Sequence, residues 1–456
     1  MASGKTDQLA DYLEGAPHTD LPEAVIQQAK WILLDTFGIT LGASAYRAGK
    51  LASKFAASAG GAPECTLLGF FSKNSAVHAA FANGVMAHDF DMDDSHAASL
   101  SHPAAVIVPA AWAAGEREGA SGMDLIRAIV AGYDVECRLS IALDPQRQYA
   151  RNFHPSSVCG CFGAGAAAGT LLNLNRNQSV HMLGLSGCQA SGLLAWETET
   201  GHMSKSFQTG IAARNGVVAA LLANEGYQGP PSIFDGPYNL FEAFSSDAFN
   251  FEPLTQDLGT RFEIMNTSLK LYSSCRHTHA PLDAFFHLIK AHGLDPAEIR
   301  EVVVKVAPGA LPVINGNELL THNMQYVIAV AAVIGNVTPD QVLQKSNDPR
   351  IGDFSKRVKV VAEPRFTDRF PARKSGIVSI STMDGQVIEQ QVDDAKGDFR
   401  NPLSLELIEQ KFVSLVTPFM PESAAREIID MVYRLESTPD IRPLMERFML
   451  NENEES

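Results

Sequence analysis

The chain reads as mainly α: a large all-helical domain interrupted by a smaller α+β lid domain. Three observations predict this. Apolar residues recur at helical spacing over roughly the first 225 positions, where strand alternation is almost absent. β-branched and alternating segments then gather between about 260 and 400. Amphipathic helix patterns return after Asn401-Pro402. The expected layout is 1–265 as the first segment of the helical domain, 266–400 as the lid, and 401–456 as helices that rejoin the first domain. With 456 residues the chain is too long for one ordinary core. A cleft between two domains is then the default ligand site.

The elements follow in order. Asp20-Leu-Pro-Glu23 has the form of a capping box with proline in the first turn, and Val25, Ala29, Ile32, Leu33, Thr36 and Phe37 recur on one face behind it. Ala76 to Met86 predicts a helix running into an acidic stretch. Gly122 to Ala142 predicts another, with Leu125, Ile126, Ile129, Val130 and Tyr133 on one face. Ile299 to Val306 is compact and β-branched, a strand. Gly376 to Val392 alternates about Asp384-Gly385, the strongest hairpin signal in the chain. Helices are expected near 278–293 and 319–334, then at Leu403 to Leu415 and Glu422 to Leu435. The tail NENEES reads as a solvated acidic end. No internal repeat or low-complexity linker is evident.

Composition is that of a soluble globular protein, with 45% apolar and 19% charged residues. A net charge of -16 argues against nucleic acid or an anionic membrane as partner, since both need basic surface. The six cysteines are scattered, and reduced thiols in a core explain them better than a disulfide framework or a C-x-C metal motif at Cys159 and Cys161. The N-terminus lacks the apolar run of an export signal, and the uncharged stretches Ala97 to Gly115 and Pro155 to Leu174 are rich in small residues. A cytoplasmic protein without membrane spans is expected.

Residues 87–105 organise the chemistry. His88, Asp89, Asp91, Asp93, Asp94 and His96 fall within nine positions, and His102 follows before Pro103. Apolar runs flank the cluster on both sides, so it is not a solvated charge run. Buried carboxylates need cations or protons to offset their desolvation. A calcium loop fails because its sixth position is Asp94 and its twelfth Leu100. A di-metal site from His88, Asp91, His96 and His102 lacks a supporting second motif. A purely structural role, with the acids capping the next helix, is the bland alternative. The run Gly163 to Gly169 follows no strand and reads as small-residue helix packing rather than a phosphate loop. Three segments offer cations: His154 in Asn152-Phe-His-Pro-Ser-Ser, Lys205 in the stretch from Gly201 to Gly216, and Lys270, Arg276, His277 and His279 in one cluster at the expected domain boundary. Beside Gly, Ser and Pro turns, these groups together read as an anion pocket.

HDFDMDDSH…SHP, NFHPSS, MSKSFQTGIAARNG, LKLYSSCRHTH and MQYV, in that order, resemble the MmgE/PrpD family from about residue 8 to 440. The family includes 2-methylcitrate dehydratase, cis-aconitate decarboxylase and iminodisuccinate epimerase. The resemblance implies a helical domain with an α+β lid, a homodimer, a small polycarboxylate substrate, and chemistry without metal or organic cofactor. It implies active-site roles for Asp91, Ser95, His102, His154, Lys205, Lys270 and Tyr326. Ser95 stands where some members have threonine. Cys275 stands where animal-type cis-aconitate decarboxylases have histidine, which counts against decarboxylation. Glu197 and Glu199 precede Lys205, and if they face the pocket they disfavour a tricarboxylate and favour a less anionic or amine-bearing substrate.

The shared chemistry starts beside a carboxylate, where negative charge builds next to negative charge. Lys205, Lys270 and Arg276 are suited to stabilise it, with Cys275 and Ser95 as further substrate contacts. His102, oriented by Asp91 or a neighbouring acid, fits a proton shuttle, and His154 or Tyr326 could act from the other face. The sequence thus predicts a cofactor-free hydro-lyase like 2-methylcitrate dehydratase. A decarboxylase or epimerase on the same scaffold is the runner-up, and a metal-dependent hydrolase is the alternative from another class.

Overall fold

A computed structural model describes residues 4–199, 203–245, 249–345 and 347–450. The acidic tail and Gly201-His202 of the lysine motif lie outside the described residues.

Two hydrophobic cores organise the chain. The first is helical. Its main elements are α1 (Glu23–Ala43), α2 (Ala76–His88), α3 (Ala104–Glu118), α4 (Gly122–Ala142), α5 (Gly160–Leu171) and α6 (Ser204–Asn224). Phe37 of α1 stacks on Trp112 at 4.9 Å and on Phe448 at 4.6 Å, so C-terminal residues complete this core. The expected capping box at Asp20 does not form. Helix α1 begins at Glu23 with Pro22 as its cap, which leaves Asp20 too early to reach the free N–H groups of the first turn. The glycine run packs helices together: a Cβ on Gly216 would lie 2.4 Å from the Cβ of Ala164, so only glycine admits this approach of α5 and α6.

The second core is built on a four-stranded sheet and the helices packed against it. Strands β1 (Ser95–His96) and β2 (Thr267–Ser268) lie outside that sheet and pair with each other. The sheet comprises β3 (Ile299–Val306), β4 (Val358–Ala362), β5 (Gly376–Thr382) and β6 (Val387–Val392), in the order β4-β3-β5-β6. Strands β5 and β6 form the hairpin that Asp384-Gly385 predicts, with Ile380 opposite Ile388. Strand β4 runs parallel to β3, with Val302 opposite Val358. Its inner residue is Val358, while Lys359, Val361 and Ala362 face outward, so it is an edge strand with little alternation to announce it. Helices α7 (His279–His292) and α8 (Met324–Ile334) cover this core. Helix α8 starts later than the predicted 319, because Asn323 caps it by accepting from the Tyr326 N–H.

After the sheet the chain returns to the helical core through α9 (Leu405–Val416) and α10 (Glu422–Tyr433). A Cβ on Gly38 would sit 3.0 Å from the Phe412 ring, so α9 lies tightly on α1. No described helix is long and apolar enough to cross a membrane.

Candidate active site

The acidic stretch is buried. Asp91 is 1% exposed, and Asp93, Asp94 and His96 are fully enclosed. Asp91 within it stays charged because distant lysines reach it, whereas burial pushes Asp89 and Asp94 up. Ser95 and His96 pair with Ser268 and Thr267 in the short β1–β2 ladder. That register delivers Lys270, two residues beyond β2, onto Asp91. The Lys270 ammonium donates to Asp91 Oδ1 at 2.6 Å and to the Asp91 carbonyl at 2.9 Å. Lys205, in the first turn of α6, donates to the same carboxylate oxygen at 3.2 Å. Asp91 holds left-handed backbone, φ 49°, a conformation Asp tolerates better than most residues. Burial works to raise the Asp91 pKa, but Lys205, Lys270, His322 and His88 together hold it well below the usual carboxylate range. Lys270 shows the mirror balance: burial works to lower it, while Asp91 and Asp93 leave it raised.

The other acids divide the remaining work. Asp94 accepts from the Ala104 N–H at 3.0 Å, capping α3, and from the Tyr133 hydroxyl at 2.7 Å. Asp93 Oδ2 lies 2.7 Å from His88 Nδ1 and 3.4 Å from His102 Nδ1. His102 Nδ1 also lies 2.7 Å from the Asp94 carbonyl. A carbonyl can only accept, so Nδ1 carries the proton and Nε2 is left as a lone pair. Burial, reinforced by Lys270, pushes the His102 pKa well below its ordinary value and keeps the ring neutral. It is therefore Asp93 and a backbone carbonyl, rather than Asp91, that orient this imidazole.

These groups open onto a cavity of about 310 Å³ whose lining comes from both cores. Asp91, Ser95, His102, Lys205, Cys275 and Arg276 all line it. Lys270 stands behind Asp91, fully buried. His154 caps the short helix at Pro155, with Nδ1 2.9 Å from Gln208 Oε1, and its ring packs 5.5 Å from Trp196, which lies on the cavity wall. Tyr326 is not brought to the cavity: its hydroxyl donates to the Val342 carbonyl at 2.8 Å. Glu197 lines the cavity, while Glu199 instead accepts from the Met203 and Ser204 N–H groups at the start of α6.

Several contributors escape sequence reasoning. His322 lines the cavity with Nδ1 3.5 Å from Asp91 Oδ2. Lys374 and Trp196 line it too, and Lys205 sits 5.0 Å over the Trp196 ring. Lys411 of α9 never touches the cavity but ties both site loops together. Its ammonium donates to the Met92 carbonyl at 2.9 Å and the Lys270 carbonyl at 2.8 Å, and pairs with Asp35 at 2.6 Å. Nothing in KFVSL marks that lysine in advance, since amphipathic helices commonly carry one.

His88, Asp91 and His102 offer one ligand atom each within 4.8 Å of one another, a spacing that could suit a metal ion. The two ammoniums on Asp91 already supply its positive charge and would repel a divalent ion placed there.

The MmgE/PrpD N-terminal domain matches residues 7–252, and the MmgE/PrpD C-terminal domain matches 272–437. The chain belongs to the MmgE/PrpD family. Similar proteins extend over nearly the whole of it. The cis-aconitate decarboxylase of Aspergillus terreus is 27% identical over 97% of this chain and 96% of its own length. That of Mus musculus is 27% identical, covering 96% and 92%, and that of Homo sapiens 25%, covering 96% and 93%. The segment matched by the MmgE/PrpD C-terminal domain includes α9 and α10, which pack into the helical core rather than on the sheet.

Proposed function

We propose that this MmgE/PrpD protein is a cofactor-free lyase acting on a small polycarboxylate, and that it begins by removing a proton beside a carboxylate. One observation carries the reading: His102, whose Nδ1–H is directed to the Asp94 carbonyl, lines the same cavity as the Asp91–Lys205 pair. A neutral imidazole is a base, so abstraction is the step the resting site favours. The electron pair released from the C–H bond moves toward the adjacent carboxylate, where Lys205 stabilises the developing charge. In a dehydratase the pair then forms the double bond as the C–O bond of a β-hydroxyl breaks. Hydroxide leaves as water once protonated, with the Cys275 thiol or the newly formed imidazolium as donor. Burial pushes the Cys275 thiol up, so it is a proton carrier rather than a nucleophile.

Decarboxylation is the second reading, favoured by the names of the full-length relatives. There the C–C bond to the departing carboxylate breaks, its electron pair enters the remaining unsaturated system, and a carbon takes a proton. That route needs an acid to protonate the carbon after carbon dioxide leaves.

Proton NMR in deuterated water with citrate, methylcitrate, aconitate, tartrate and iminodisuccinate separates hydration, decarboxylation and simple exchange. Water loss or gain with deuterium incorporation is expected. Carbon dioxide release without hydration would replace the first reading by the second. Turnover should also survive exhaustive chelation. Activity lost on chelation and restored by one metal ion would sink the cofactor-free mechanism.

A further inference from the structure

We infer that Arg276, His277 and Lys374 form a second anion subsite in the cavity, which grips a carboxylate of the substrate that takes no part in bond breaking. This rests on the polycarboxylate reading above and deepens it: the substrate must carry at least two carboxylates. All three residues line the cavity. Arg276 and His277 each hold a buried nitrogen without a partner among the described residues, and Lys374 is half-buried.

Arg276 is 6% exposed. Its Nη2 donates to Asp398 at 3.2 Å, but its Nη1 is buried and has no partner among the described residues. Asp398 is itself shared, because Arg400 also lies on it at 3.5 Å. Lys374 makes no hydrogen bond or ion pair among the described residues. Burial, reinforced by Arg276, pulls its pKa down to about 8, as expected for a half-buried ammonium beside another cation. His277 stacks on Phe370 at 5.5 Å, with Nδ1 buried and without a partner among the described residues. A structural arginine or lysine would show a closed set of acceptors. Here two cations and an imidazole line one cavity, with one shared carboxylate, Asp398, among them.

The arrangement suits a planar anion, since a guanidinium and a lysine can both donate to one carboxylate. It is also distinct from the Asp91 group, where Lys205 and Lys270 both lie on one carboxylate. One carboxylate at each group would fix the carbon chain between them and set which carbon meets His102.

Isothermal titration of the full chain at neutral pH tests this with four unreactive probes: butyrate, glutarate, tricarballylate and inorganic phosphate. Lys374→Gln should weaken glutarate and tricarballylate about ten- to a hundred-fold, as for loss of one charge-assisted contact, and leave butyrate within about two-fold. Lys374→Arg should restore most of the loss. Equal binding of the di- and tricarboxylates by parent and Lys374→Gln would overturn the subsite. So would an equal loss for butyrate, phosphate binding tighter than glutarate, or no binding of any probe by the parent. A selective loss in Lys374→Gln, combined with no turnover of any panel substrate, would uphold the subsite and sink the lyase reading instead.

Discussion

Removing the charge of Asp91 should separate what holds this site together from what it does. Asp91→Asn keeps shape and hydrogen-bonding capacity but strips the anion from between two ammoniums, at 2.6 Å from Lys270 and 3.2 Å from Lys205. Lys270 is fully buried, so it cannot turn to water. Breaking a buried pair by deleting one member costs about 3–5 kcal/mol. The lower end applies, because Asp93 remains 3.8 Å from Lys270 and inherits part of its charge. The expectation is a loss of about 3 kcal/mol and of turnover. Lys270→Met in the same chain should then recover about 1–3 kcal/mol, since the unpaired charge disappears, while turnover stays lost. Thermal melting of parent, both singles and the double, alongside a turnover assay, reads the cycle. A double variant as unstable as the sum of the singles would refute the account of a charge-compensated site. So would an Asp91→Asn protein as stable and active as the parent.

Other outcomes follow from the same geometry. Lys205→Ala should cut turnover with little change in melting temperature, since Lys270 still neutralises Asp91; Lys411→Met should lower both, because it releases the Met92 and Lys270 carbonyls and strands Asp35. Burial, then Lys205, pushes His154 down to about 4, while the unfolded chain protonates near 6.5. Between those values the unfolded chain binds more protons, so this contribution is fully present above roughly pH 6.5 and is lost as pH falls toward 4. His154→Gln should therefore flatten the loss of stability on acidification, and unchanged denaturant midpoints across that range would contradict it. Glu197→Gln removes a carboxylate from the cavity lining and should strengthen tricarballylate binding more than glutarate binding; equal effects on both would show that Glu197 does not select by charge.

Much of this protein was legible from its residues in order. Helical periodicity, the Asp384-Gly385 turn and the β-branched run at Ile299 give the change of texture that the two cores display, because these signals are local. Each depends on a few neighbouring side chains and their backbone preferences. The burial of the acidic stretch was legible too, from the apolar runs that flank it. What the tertiary structure alone decided is which distant groups meet there. The Ser95–Ser268 register carries Lys270 to Asp91 across 179 positions, and Lys411 reaches both loops from still farther along the chain. The same packing turns the Tyr326 hydroxyl toward Val342 and leaves Lys374 in the cavity without an acceptor among the described residues. No local pattern encodes such meetings, because a charge is placed by the packing of whole elements, and one lysine looks like another until its partner is in reach.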